Sequence, residues 1–197
     1  MNTLKAEKRS MDIKAKKLRR EGFVTGNVFG RELKESIPVK FDKVSANRFL
    51  GTAHKGSEAI LELEGEKMDV LVKDIEYNPL KREVEEIDFQ ALVKGEKVHS
   101  VAEVVLVNHE KVTDGVIEQV LSEIAYKALP SALVEKVEID VSSMKAGDSL
   151  TVADLDIAKD KDIDITTDLD ATVVTVSEVH YVEPEDDDAV SDNTTEA

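Results

Sequence analysis

The sequence predicts a mainly β protein of the α+β kind, arranged as two β-rich domains. Three observations carry this. Valine-, isoleucine- and leucine-rich runs alternate with polar residues and are bounded by Gly, Pro and Asn. Sustained helical periodicity is scarce. The charge balance changes abruptly at Gly95-Glu96. The chain has 197 residues, 41% of them apolar, so two small packed domains fit better than a disordered chain.

Residues 1–22 are basic and polar, with Arg9, Lys14, Lys16, Lys17, Arg19 and Arg20. Gly22, Gly26 and Gly30 then recur every four residues, which suggests tight turns or close backbone approach. Phe23, Val24, Val28 and Phe29 suit a short strand among them. Ile37–Phe41 reads as a strand and Val44–Leu50 as a helix. Glu58–Glu64 and Lys67–Ile75 form the arms of a hairpin that turns at Gly65-Glu66. Asn78-Pro79 breaks the chain, and Glu83–Val93 resumes strand-like alternation.

Beyond the boundary, Val98–Val107 reads as a strand. Gly115–Leu129 is ambiguous: Val116, Ile117, Val120, Leu121 and Ile124 fit a helical face, which Pro130 ends. Val134–Val141 and Ala171–Val182 alternate as strands. Met144–Leu155 reads as a turn, a short strand and another turn. From Glu183 the chain is acidic and polar, as expected of a disordered tail. The expected division is therefore a first domain over 1–95, an acidic second domain over 96–182 and a tail over 183–197.

The net charge of −16 argues against nucleic acid until it is divided along the chain. Residues 1–95 hold 19 Lys and Arg against 17 Asp and Glu, and the rest hold 7 against 25. Within 1–20 the ratio is 8 to 2. Screening confines a charge's influence to about 8–10 Å, so a local basic patch can bind phosphate on an acidic protein. There is no cysteine, hence no disulfide or thiolate metal site. Met1–Arg20 lacks the apolar stretch of a signal peptide, and no run suits a membrane helix. The expectation is a soluble cytoplasmic protein.

Catalytic chemistry finds little support. His54, His99, His109 and His180 form no close-spaced ligand pair. There is no G-x-S-x-G elbow and no P-loop, and the glycine spacing is not that of a dinucleotide site. Glu85-Glu86-Ile87-Asp88 could hold a metal or an acid–base pair, but a solvated strand face explains it better. Asp160–Asp170 lacks the central glycine and terminal glutamate of a calcium loop. The strongest chemical signal is Lys14-Ala-Lys-Lys-Leu-Arg-Arg20. Its cations can displace counterions from phosphate, and arginine's planar fork can grip phosphate or a guanine edge.

The order of these features resembles a known family. Lys17-Leu-Arg-Arg-Glu-Gly22 followed by Phe29-Gly30 resembles the basic entry segment of the bacterial 5S-rRNA-binding protein numbered twenty-five in the large ribosomal subunit. Val72-Lys-Asp-Ile-Glu-Tyr-Asn-Pro-Leu80 with Ile87-Asp-Phe89 resembles its second signature. Gly115–Gln119, Ala128-Leu-Pro130, Val137–Val141 and Gly147–Leu155 resemble the long form, called the CTC or general-stress type. The resemblance covers about residues 4–182.

It implies a six-stranded β-barrel with small helices, followed by a β-rich second domain in which Gly115–Leu129 is less helical than its periodicity suggests. The implied function is non-catalytic: binding 5S rRNA as a structural part of the large ribosomal subunit. Carried over by position, Arg9, Lys16, Lys17 and Arg19 would contact the RNA backbone and groove, and Phe29 stands where the family has tyrosine; Lys14, Arg20 and Lys73 join them as candidate RNA-binding cations, with Asp88 in the strand motif. Asp88 would accept from a base amino group. The acidic second domain would face ribosomal proteins or solvent. No cofactor, metal, DNA or membrane partner is implied.

The sequence departs from the family where Thr25 and Gly26 replace proline and alanine, where Glu76 and Tyr77 replace glutamine and arginine, and where Glu86 replaces histidine. These departures motivate a rival: a divergent stress-related paralogue acting as a protein-binding module with weak or no 5S rRNA affinity.

Overall fold

The computed structural model describes residues 2–113 and 115–178. Six strands close into a barrel in its first part: β1 (Asn2–Lys8), β2 (Phe23–Phe29), β3 (Ile37–Asp42), β4 (Glu58–Leu63), β5 (Glu66–Asn78) and β6 (Glu83–Ala91), with helices α1 (Ala15–Arg20) and α2 (Lys43–Leu50). Their order around the barrel is β1-β3-β2-β6-β5-β4. Parallel pairing of β1 with β4, Leu4 opposite Leu61, completes the ring and leaves no open sheet edge.

Strand alternation explains which side chains fill the interior. Ala59, Leu61 and Leu63 of β4 point inward between half-buried neighbours. Val24 and Val28 of β2, Val39 and Phe41 of β3, and Ile87 and Phe89 of β6 join them. Phe89 meets the edge of Phe41 at 5.6 Å and tilts against Phe49 of α2 at 6.2 Å. Gly26 is a close-approach glycine: a Cβ there would lie 2.0 Å from the Ile87 carbonyl oxygen. Only a residue without a side chain lets β2 run this close to β6.

The local signals at the helices are modest. Asp42 caps α2 by accepting from the Ser45 amide at 2.9 Å. The six-residue α1 is too short to be stable alone and is held by Leu18, buried against the barrel. At the β5–β6 turn, Asn78 Oδ1 accepts from the amides of Leu80 and Lys81, which fixes the tip that Pro79 opens.

The second part contains β7 (Val98–Val107), β8 (Val116–Gln119), β9 (Glu123–Ala128), β10 (Lys136–Asp140), β11 (Ser149–Thr151), β12 (Ile163–Ile165) and β13 (Thr172–Ser177). They form a four-stranded sheet, β10-β7-β9-β12, and a three-stranded sheet, β11-β13-β8. A separate apolar cluster lies within this part, including Ile124, Tyr126, Ile139, Val173 and Val174. The buried Tyr126 hydroxyl donates to the Val134 carbonyl and accepts from the Val134 amide, both at 2.8 Å.

The ambiguous stretch Gly115–Leu129 forms β8 and β9 rather than a helix, as the family resemblance implied. Ile117 pairs opposite Val176 and Ile124 opposite Ala102. The β-branched residues that mimic a helical stripe are also good strand formers, and cross-strand packing decides between the two. The expected 171–182 strand is seen as β13. Its end, and the whole 183–197 tail, lie outside the described residues.

The two parts touch where Lys73 of β5 donates to the His99 carbonyl of β7 at 3.0 Å. Nearby, a Cβ on Gly56 would lie 2.1 Å from the Val101 carbonyl oxygen. Lys55 reaches Glu123 at 3.4 Å. No helix among the described residues is long and apolar enough to cross a membrane.

Candidate nucleic-acid interface

The basic segment folds into a platform with two distinct sides. Lys14 has extended backbone at the entry to α1, and Lys16, Lys17 and Arg20 are exposed along the helix. Leu18 anchors the opposite side. Arg19 also turns inward: its Nε donates to the Glu85 carbonyl at 3.0 Å, Nη1 to Glu85 Oε2 at 3.1 Å, and Nη2 to Glu86 Oε2 at 3.1 Å and Thr25 Oγ1 at 3.3 Å. The planar fork that made Arg19 a phosphate-gripping candidate is thus engaged on the protein's own β6 and β2. Arg9 donates from Nη2 to the Ile13 carbonyl at 3.3 Å, tying the loop before α1. Lys17 lies 3.9 Å from Glu21, a loose and exposed pair.

The neighbouring outer face of the barrel is acidic. Strand pairing sets Asp74 opposite Asp88 and Glu76 opposite Glu86 across β5 and β6. Like charges directly opposite are unfavourable in a sheet, so compensation is needed. Asn27 provides part of it. Its amide and its Nδ2 both donate to Asp88 Oδ1, at 3.0 and 3.2 Å, and the same Nδ2 reaches Glu86 Oε1 at 3.2 Å. Partial burial, then Asp88 and Glu76, hold the Glu86 carboxyl above the usual glutamate range, while Arg19 and Arg9 oppose this. Glu85 moves the other way, lowered by its hydrogen bond from Asn78 and by Arg19 and Lys81.

The remaining site candidates are dispersed. Phe29 is half-buried at the end of β2, opposite Gln90 of β6. Asp88 sits on the acidic face just described. Lys73 does not join the basic platform. It lies at the seam with β7, where burial and then Lys55 lower its ammonium pKa. The structure also brings in two cations that the sequence reading did not single out. Lys43 and Lys81 join Lys16 and Arg20 around a cleft of about 550 Å³. Neither lies in a charge run, so only the fold reveals that they converge.

Among the described residues no group of His, Asp and Glu is arranged to hold a metal ion. The Glu85–Asp88 carboxylates lie on a half-exposed strand and are engaged by Arg19, Asn27 and Asn78. In the Asp160–Asp170 stretch, Asp160 and Asp168 accept from amides two residues on, and Asp164 pairs with Lys97 at 2.6 Å.

Comparison with known proteins gives two family matches in chain order. Residues 4–89 match the Ribosomal L25p family, and residues 97–180 match the C-terminal domain of ribosomal protein TL5. The chain is 34% identical over 160 residues to the large ribosomal subunit protein bL25 of Bacillus velezensis, covering 79% of this chain and 78% of that one. It is 31% identical over 179 residues to the bL25 of Listeria monocytogenes, covering 89% and 85%. It is 32% identical over 163 residues to the general stress protein Ctc of Bacillus subtilis, covering 79% and 78%.

Proposed function

The chain belongs to the ribosomal L25p family, and on that premise we propose that it is a structural component of the large ribosomal subunit that binds 5S rRNA through the α1 side of its barrel. A ribosomal family agrees with a non-catalytic role. The observation that carries the reading is the geometry of α1. Leu18 and the four Arg19 hydrogen bonds fix a short helix on the barrel, with Lys16, Lys17 and Arg20 turned to solvent. A cationic surface held rigid loses little freedom on binding, so counterion release from phosphate contributes to affinity more fully.

In this reading Arg9, Lys14, Lys16, Lys17 and Arg20 contact phosphate, and Arg19 is a positioning residue. Phe29 and Asp88 border the RNA, and Asp88 keeps acceptor capacity for a base amino group beyond what Asn27 uses. Lys73 serves the junction instead. Residues 1–95 form the RNA-binding domain, and residues 96–182 form an acidic domain that meets ribosomal proteins or solvent. The protein acts with ribosomes in the cytoplasm.

Sedimentation of a cell extract at cellular salt tests this. The protein is expected with the large subunits, and 5S rRNA is expected to copurify with it after subunit disassembly. Recovery in ribosome-free fractions with a protein partner and no 5S rRNA would favour the paralogue reading. That reading rests on the acidic face alone, and the comparisons lend it no support.

A further inference from the structure

The cleft beside α1 gathers cations from three separate parts of the chain. Lys16 and Arg20 come from the helix, Lys43 from the first residue of α2, and Lys81 from the β5–β6 turn, over a floor that includes Phe23 and Val84. Hydrogen bonds fix these parts in place. The Lys43 amide donates to the Gly22 carbonyl at 3.0 Å, which ties the start of α2 to the turn after α1. Gly22 makes that turn at φ +91°, in the left-handed region that favours glycine. Asn78 holds the β5–β6 tip, and its Nδ2 donates to Glu85 at 2.7 Å.

Charge in the cleft is unevenly matched. Glu83 takes Lys43 at 2.6 Å, and Glu85 is shared between Arg19 at 3.1 Å and Lys81 at 3.7 Å. Lys16 and Arg20 have no ion-pair partner among the described residues. Lys43–Glu83 and Lys81–Glu85 are partly exposed pairs, which solvent screens, so a phosphate can draw these lysines away at small cost. A volume of about 550 Å³ lies within the range of roughly 300–1,000 Å³ typical of small-ligand sites, and a nucleotide unit fits it. Phe23 adds an apolar surface suited to a ribose or base, with Lys40 covering one face of its ring at 4.5 Å from the centroid.

We propose that this cleft receives one phosphate and its attached nucleoside from the RNA strand held by the outer side of α1. Lys16 and Arg20 are the free donors, and Lys43 and Lys81 turn from Glu83 and Glu85 to complete the site. RNA is favoured over a free anion because the cleft is open and continuous with the exposed face of α1, so a strand can pass from one to the other. The inference rests on the function proposed above and adds two contacts outside the basic segment.

The test is a titration of 5S rRNA against the full chain over a series of salt concentrations, for the wild type and a Lys43→Gln/Lys81→Gln variant. Thermal melting of the variant controls for folding. The double variant is expected to melt like the wild type, bind about tenfold more weakly, and show a slope of log affinity against log salt shallower by roughly one unit. A wild type that binds, with a folded variant of unchanged affinity and slope, would overturn the cleft assignment and leave the ribosomal reading intact. A wild type with no preference for 5S rRNA would overturn both. In a parallel arm, tight binding of AMP without RNA, lost in a variant that still binds 5S rRNA normally, would assign the cleft to free nucleotides and refute the proposal.

Discussion

The two halves of this molecule are built from the same strand chemistry and differ sharply in charge. The barrel closes on itself and leaves no strand edge, while the second part stays as two open sheets. The barrel half is nearly balanced in charge over residues 1–95, with 19 cations to 17 anions, whereas the remainder carries 7 to 25. The contrast teaches that net charge says little about an RNA-binding surface. What matters is which side chains the backbone leaves facing outward. Within the barrel the same separation recurs at finer scale, with exposed lysines along α1 beside a ladder of carboxylates on β5 and β6.

If the halves are independent in stability but only the barrel binds RNA, substitutions can damage them separately. The largest effect is expected at Gly26. Gly26→Ala forces a Cβ to within 2.0 Å of the Ile87 carbonyl oxygen, and the strands must part. A loss of about 3 kcal/mol is expected. Hydrogen exchange should show lost protection in β2 and β6 and retained protection in β7 and β9, together with lost RNA binding.

The mirror experiment is Tyr126→Phe. It removes the hydroxyl that serves both the amide and the carbonyl of Val134, leaving both without that partner. A loss of about 2 kcal/mol, confined to the second part, is expected from denaturant melts. Affinity for 5S rRNA should be unchanged. A matching loss of affinity would show that the halves are coupled through the Lys73–His99 seam.

Arg19→Ala sharpens the distinction between contact and support. It should weaken RNA binding about tenfold by loosening α1, with a smaller change in salt slope than the one unit expected for Lys16→Ala. Equal slope changes would make Arg19 a phosphate contact in the complex.

The smallest effect is expected at Glu86. Glu86→Gln removes one anion from the face beside α1 and should tighten RNA binding about threefold, within the ~1 kcal/mol reach of a partly exposed charge. Its pH effect has a definite sign. Glu86 binds its proton more tightly in the folded chain than in the unfolded one, so its contribution favours folding as pH falls through the region just above an ordinary glutamate. Glu85, Asp42 and Asp164 are lowered and act oppositely: their stabilisation is present above the ordinary carboxylate range and is lost on acidification. The Gln variant should therefore lose stability more steeply than the wild type as pH falls, in urea melts between pH 6 and 3.

Much of the barrel was legible in the sequence, because its hairpins carry turn chemistry at Gly65 and Asn78-Pro79 and its strands alternate. β1 was not, since Lys5, Glu7 and Lys8 give it the look of a basic tail, and its inward Leu4 and Ala6 gain meaning only against β4. The ambiguity of 115–129 has the same origin: short runs of β-branched residues satisfy both periods until a partner strand is known. At the candidate site, the lysines of α1 were readable as a charge run. The inward turn of Arg19 was not, because its partners lie 66 and 67 residues away. Lys43 and Lys81 were invisible for the same reason.

The most direct test of the account compares the affinity of the full chain for 5S rRNA with its affinity for an unrelated structured RNA of equal length, at physiological salt. Binding at least a hundredfold tighter to 5S rRNA, weakening as salt rises, is the predicted result. Equal affinity for the two RNAs would contradict it.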